Sequence, residues 1–203
     1  MPTIGLYLFP GTEELDLVGP WEVFTASAML HEQAGNPADA VVTVAATAEV
    51  VRCAKRMRIV PDATFTDHPP LDVVLVPGGV GTRALVDDEA AMGWLASVAG
   101  GCRWVTSVCT GSFLLHACGV GRGRRLATHW GSEDRLAERG DVEVVRDARW
   151  VVDENVVSSQ GVSAGIDMAL WLVGQLHGVA HARATQRYIQ YDPAPPYQAD
   201  LPA

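Results

Sequence analysis

Cys109 lies in Trp104-Val105-Thr106-Ser107-Val108-Cys109-Thr110-Gly111-Ser112-Phe113-Leu114-Leu115, where a β-patterned run passes into a helix-patterned run with almost no linker. A cysteine on so sharp a turn is lifted clear of the sheet, and the small residues Thr110, Gly111 and Ser112 leave room before its sulfur. The first helical turn directs unpaired backbone N–H groups and a partial positive charge toward it. Both effects favour the thiolate, which is the nucleophile. Elsewhere a cysteine is usually a small buried hydrophobe; at this junction it reads as a nucleophile.

Two further pieces can reach the same crevice. Asp16 follows the first strand, and Gly78-Gly79 ends a central one. Glycine lets backbone approach a ligand closely, so N–H groups here and at Thr110 can steady negative charge on an attacked substrate. A carboxyl beside a thiolate cannot easily ionise as well, so Asp16 and Cys109 would share one proton. Asp16 could then serve as general acid and afterwards as general base. It reads equally well as a loop or capping residue ahead of Pro20. His116 points away from the sulfur, and no histidine adjoins Cys109 in sequence; His129-Trp130 could come near from a loop.

These groups need an alternation of strands and helices to bring them together. Thr3–Phe9 reads as a buried first strand, Pro20 as the start of a helix with Trp21, Phe24 and Ala28 inward, and 41–46 as a second strand. Residues 50–60 suggest an antiparallel excursion. Asp72-Val73-Val74-Leu75-Val76 has the continuous apolar character of a parallel strand covered on both faces. Asp87-Asp88 caps a helix ended by Gly100-Gly101, and 103–108 delivers Cys109. A strand pair at 142–145 and 150–157, a helix capped by Ser163, and a helix over 179–191 complete one domain across residues 1–203. In open parallel sheets, ligands bind beyond the carboxyl ends of central strands, where Asp16, Gly78-Gly79 and Cys109 all fall.

Composition narrows the function. A net charge of −9 over 203 residues argues against nucleic acid as a partner. No apolar run is long enough for a membrane span, and no secretory leader opens the chain. Cys53, Cys102, Cys109 and Cys118 show no metal or disulfide spacing, so reduced thiols and a cytoplasmic setting are expected. His177 and His181 share a helix face, but no acidic partner adjoins them in sequence, so they read as polar residues near a helix end. No metal and no cofactor is expected; the partner is a small-molecule substrate.

Leu15-Asp16-Leu17-Val18-Gly19-Pro20, Val76-Pro77-Gly78-Gly79, Thr106 to Ser112 and Gly161-Val162-Ser163-Ala164-Gly165-Ile166-Asp167 together resemble the ThiJ/PfpI superfamily. Leu126-Ala127-Thr128-His129-Trp130 and Tyr191-Asp192-Pro193-Ala194-Pro195-Pro196-Tyr197 are most similar to its isonitrile hydratase branch. The resemblance implies an α/β class, a flavodoxin-like three-layer sandwich with a mostly parallel sheet and a cysteine elbow. It also implies Cys109 as nucleophile, Asp16 as acid/base partner, oxyanion N–H groups from Gly79 and Thr110, and a homodimer. The corresponding reaction hydrates an isonitrile to an N-substituted formamide without cofactor.

The chain departs from that pattern in two places. Thr110 stands where peptidase-like members carry histidine, which disfavours proteolysis. Ser158-Ser159-Gln160-Gly161 replaces a glycine-rich run, so Gln160 and Gly161 are expected at the substrate pocket, and the added bulk and hydrogen-bonding groups of Gln160 leave the substrate range open. Two other functions stay open: a ligand- or redox-sensing module without catalysis, and a glyoxalase or deglycase acting on reactive aldehydes. The lack of a helix-turn-helix after Tyr197 disfavours a self-contained regulator, and Asp16 is shorter than the glutamate usual in the glyoxalases.

Overall fold

The computed structural model describes residues 1–193. The end of the Pro-rich motif, from Ala194 to Tyr197, and the segment after it lie outside those residues. In chain order the elements are β1 (Thr3–Tyr7), α1 (Glu14–Gln33), β2 (Ala40–Ala45), β3 (Val51–Arg52), β4 (Arg58–Ile59), β5 (Ala63–Thr64) and β6 (Val73–Val76). There follow α2 (Thr82–Leu85), α3 (Glu89–Gly101), β7 (Trp104–Val108), α4 (Gly111–Ala117) and β8 (Arg125–Leu126). A 3-10 turn (Trp130–Ser132) leads to α5 (Glu133–Ala137), β9 (Glu143–Val144), β10 (Trp150–Asp153), β11 (Val156–Ser159), α6 (Ala164–His177) and α7 (Val179–Tyr188).

Seven strands form one sheet in the order β10-β11-β7-β6-β1-β2-β5, parallel except for the β10–β11 pair at one edge. Period-two alternation divides β1 between two cores. Ile4, Leu6 and Leu8 face Leu17, Phe24, Met168 and Leu172, whereas Tyr7 and Phe9 face Leu95, Phe113 and Leu114. Helices α1, α6 and α7 cover one face, α3 and α4 the other, which gives the expected three-layer α/β/α sandwich. The chain leaves β1 toward β2 on one side and returns to β6 on the other. The crevice between the carboxyl ends of β1 and β6 is therefore the topological switch point.

Three expectations need correction. Helix α1 starts at Glu14 rather than Pro20, placing Asp16 in its first turn and Pro20 inside it. Pro20 removes only the bond its own N–H would have made to the carbonyl of Asp16, so the helix tolerates it. Trp21, expected inward, is 38% exposed, while Val23 and Phe24 take the core positions. Residues 150–159 form a hairpin, β10–β11, turned at Glu154 with φ of 52°, and β9 pairs with β8 instead. By contrast, Asp88 caps α3 as read, accepting from the Ala91 N–H at 3.0 Å. Among the described residues no helix is long and apolar enough to cross a membrane.

His177 and His181 meet partners that sequence distance concealed. His31, at the end of α1, packs against both rings, with centroids 4.5 and 4.0 Å away. Asp39 Oδ2 lies 2.6 Å from His177 Nε2, and Ser27 Oγ lies 2.9 Å from His181 Nε2. Burial, then the neighbouring His31 and His177, lower the His181 pKa below 6.5. The folded state thus binds this proton more weakly than the unfolded chain does, so the stabilisation is full above about pH 6.5 and fades as pH falls below it. Urea titrations of the natural chain and of His181→Gln at pH 7.5 and 5.5 should show the natural chain losing stability relative to the variant at the acid value.

Candidate active site

The β7–α4 junction is strained and pinned. Cys109 has φ of +57°, a left-handed conformation that a non-glycine residue adopts only when its surroundings enforce it. Its N–H is shared between the carbonyls of Ser159 and Gln160, each at 3.1 Å. Its carbonyl accepts from Thr128 Oγ1 at 3.0 Å and Ser112 Oγ at 3.2 Å. Gly111 completes the elbow, because a Cβ there would collide with the carbonyls of Val76 and Pro77.

Asp16 is brought to the sulfur by the first turn of α1. The carboxyl is wholly buried; Oδ2 accepts the Gly78 N–H at 2.9 Å, and the Cys109 thiol and Val162 N–H face the group. Oδ1 is buried with no hydrogen-bond partner, leaving an unused acceptor on the carboxyl. Burial pushes Asp16 up from 3.8 to about 7, against the opposing pull of the Gly78 N–H. The pair therefore holds a transferable proton near neutrality.

The expected preference for thiolate does not hold at rest. Cys109 is only 6% exposed, and burial followed by the Asp16 charge pushes its thiol up to about 12. The Thr110 N–H and hydroxyl act in the opposite sense but are outweighed. A seven-residue α4 supplies little field, and removing a charge from water costs more than one N–H returns. The sulfur is thus buried rather than presented to an open cleft.

The glycine pair is present, with its roles divided. Gly78 must be glycine, since a Cβ would sit 2.6 Å from Thr110 N, 2.7 Å from Thr110 Oγ1 and 2.8 Å from Asp16 Oδ2. Gly79, at φ of +124°, donates its N–H to Thr110 Oγ1 at 3.0 Å. It therefore positions Thr110 instead of offering a free oxyanion donor, and the Thr110 N–H is the donor that faces the sulfur. The Gln160 backbone reaches Cys109, but its amide turns to Glu133 Oε1 at 3.4 Å.

Gly161 admits a residue whose place sequence reasoning left undecided. The His129 imidazole fills the space a Cβ on Gly161 would need. Its Nδ1 accepts the Gly131 N–H at 3.1 Å, so the proton resides on Nε2. The one signal available was the Leu126-Ala127-Thr128-His129-Trp130 motif that carries part of the resemblance, within which Thr128 anchors the elbow carbonyl. Trp130 beside it is 74% exposed. Gly161→Ala should fold yet lose about 1–3 kcal/mol through overpacking, with the His129 ring resonances displaced in NMR spectra.

A buried cysteine at positive φ, a carboxyl against its sulfur and a glycine turn from the neighbouring strand form a distinctive set. Comparison with protein families gives a match to the DJ-1/PfpI family over residues 2–175. The chain belongs to the DJ-1/PfpI family. Within that family it is 40% identical to an isonitrile hydratase from Pseudomonas putida over 98% of this chain and 82% of the other. It is 32% identical to the Parkinson disease protein 7 homolog of Danio rerio, over 84% and 87%. The crystal structure of a ThiJ/PfpI family protein from Pseudomonas syringae superposes with a TM-score of 0.87 at 33% identity, covering 98% of this chain and 79% of that one. The DJ-1/PfpI fold thus accounts for the sheet order and for the elbow.

Proposed function

We propose that the chain hydrates isonitriles, R–N≡C, to N-substituted formamides, with Cys109 as nucleophile and Asp16 as general acid and base. The observation that carries this reading is the buried Asp16 carboxyl, poised near neutral pKa against the Cys109 thiol. The similarity to the Pseudomonas putida isonitrile hydratase supports the choice of substrate. Among the described residues the groups acting on the sulfur are Asp16 and Thr110, neither of them cationic, which suits an uncharged substrate.

The sulfur adds to the terminal isonitrile carbon while the proton shared with Asp16 moves to that carbon, giving the thioimidate R–N=CH–S–Cys109. Water then adds to the same carbon, and the Asp16 carboxylate takes its proton and passes it to nitrogen. Collapse forms the carbonyl, breaks the C–S bond and returns the hydroxyl proton to the Cys109–Asp16 pair, releasing R–NH–CHO. The Thr110 N–H steadies charge developing on the reacting atoms. Isonitrile and water balance the formamide with no net oxidation, so no cofactor is required.

The apolar residues Leu15, Trp21 and Met57, exposed on α1 and near the β3–β4 hairpin, suit the proposed homodimer, to be checked by sedimentation. The deciding experiment is turnover of p-nitrophenyl isonitrile beside methylglyoxal. Formamide production from the first and none from the second is expected; lactate from methylglyoxal alone would move the assignment to the glyoxalases.

A further inference from the structure

Away from Cys109, helix α2 with the loop after it, helix α4 and the segment from α5 to Arg139 line an open cavity of about 390 Å³. Arg83, Arg135 and Arg139 converge on it, with Thr82, Val86 and Phe113 as walls. Among the described residues none of these three arginines is ion-paired. The one carboxylate lining the cavity is Asp87. A chain of net charge −9 has therefore gathered three positive charges around one hollow.

Two of these cations are also held in place. The guanidinium carbons of Arg135 and Arg139 lie 5.2 and 5.8 Å from the centroid of the buried Phe113 ring. Each contact sets a cation over the ring face, an attraction that restrains two otherwise exposed arginine side chains. Three donor forks around one space match the several oxygens of a phosphate better than the two of a carboxylate. The volume falls within the range of small-molecule sites, and Val86 offers an apolar wall for an organic group.

We propose that this niche is a second ligand site, which takes a phosphate monoester carrying a small organic group. Arg83, Arg135 and Arg139 hold the phosphoryl oxygens, and the Val86 side of the cavity receives the organic part. Thr82 forms the inner wall; its hydroxyl donates to the Gly79 carbonyl at 2.8 Å and lies 3.3 Å from Thr110 Oγ1. A ligand here would therefore rest one hydroxyl away from the residue that faces the Cys109 sulfur.

Calorimetric titration of the intact protein at low ionic strength tests this, with phenyl phosphate, inorganic phosphate and benzoate as probes. Saturable binding of phenyl phosphate is expected, tighter than inorganic phosphate and tighter again than benzoate. Arg135→Gln should weaken it about tenfold, and Arg135→Gln with Arg139→Gln by more, the loss expected when charged hydrogen bonds are removed. Arg135→Lys, which keeps the charge but not the fork, should fall between. Arg183→Gln, remote from the cavity, and Cys109→Ala should bind as the natural chain does, which separates this site from the proposed chemistry. Absence of saturable binding, or an affinity unchanged by the double substitution, overturns the proposal. Benzoate binding as tightly as phenyl phosphate overturns the phosphate assignment, and equal affinity for inorganic phosphate overturns the organic subsite.

Discussion

Cys109→Ala is expected to eliminate isonitrile turnover, with kcat falling by more than ~10³-fold, about 4 kcal/mol on the barrier. No other thiol can substitute. Cys53 and Cys102 are buried in the two cores, and Cys118 donates to the Leu115 carbonyl at the end of α4. The fold should survive, because the bonds that pin the elbow are made by the backbone of Cys109 and not by its sulfur. Circular dichroism and a urea titration would establish that the variant is folded. Retention of even a tenth of the activity in a folded Cys109→Ala protein removes the covalent mechanism.

Asp16→Asn is expected to act in opposite directions on rate and stability. Turnover should fall by about 10²- to 10⁴-fold, the usual contribution of a general acid or base. Asn still accepts the Gly78 N–H, so geometry is preserved. Because folding raises the Asp16 pKa from 3.8 to about 7, the folded state keeps a proton that the unfolded chain releases between those values. Stability from this group is full below about pH 4 and is lost as pH rises through about 7. The variant lacks that loss, so its advantage over the natural chain should grow across this window, to on the order of 4 kcal/mol above neutrality.

The same substitution also isolates the source of the lost rate. Asp16 is the second cause of the raised Cys109 pKa, after burial. Removing its charge should lower that pKa and speed alkylation of Cys109 by iodoacetamide at pH 8. Faster alkylation with slower turnover identifies proton transfer, not thiolate formation, as the contribution of Asp16. Natural turnover in Asp16→Asn would eliminate the acid–base role.

The elbow was legible because strand and helix periodicities collide at Val108-Cys109-Thr110, and only a tight turn joins them. The α3 cap and the run Val73–Val76 were legible for the same reason: local bonding and burial on both faces leave a mark within a few residues. Helix α1 was misjudged at Pro20, because proline often opens a helix and its tolerance at position 20 depends on losing just one early bond. The Trp21 orientation went with it, since a shift of the helix start does not reveal which face meets α6.

Other features were not local and left no pattern to read. His31 and Asp39 reach His177 and His181 only when α1 and the β2 approach pack against α6 and α7. Arg83, Arg135 and Arg139 are isolated charges in sequence and a cluster only around Phe113. The contact of the Gln160 amide with Glu133 likewise joins positions far apart in the chain.

Sequence alone determined that a cysteine would sit on a bend at the end of a central parallel strand, with a carboxyl and a glycine pair at neighbouring strand ends. Those placements follow from short-range periodicity and from the right-handed crossings of an open sheet. Only the tertiary structure decided the ionisation of that cysteine. Helix-end dipoles are visible in the chain, but desolvation is not, because it depends on every segment that closes over the sulfur and the Asp16 carboxyl.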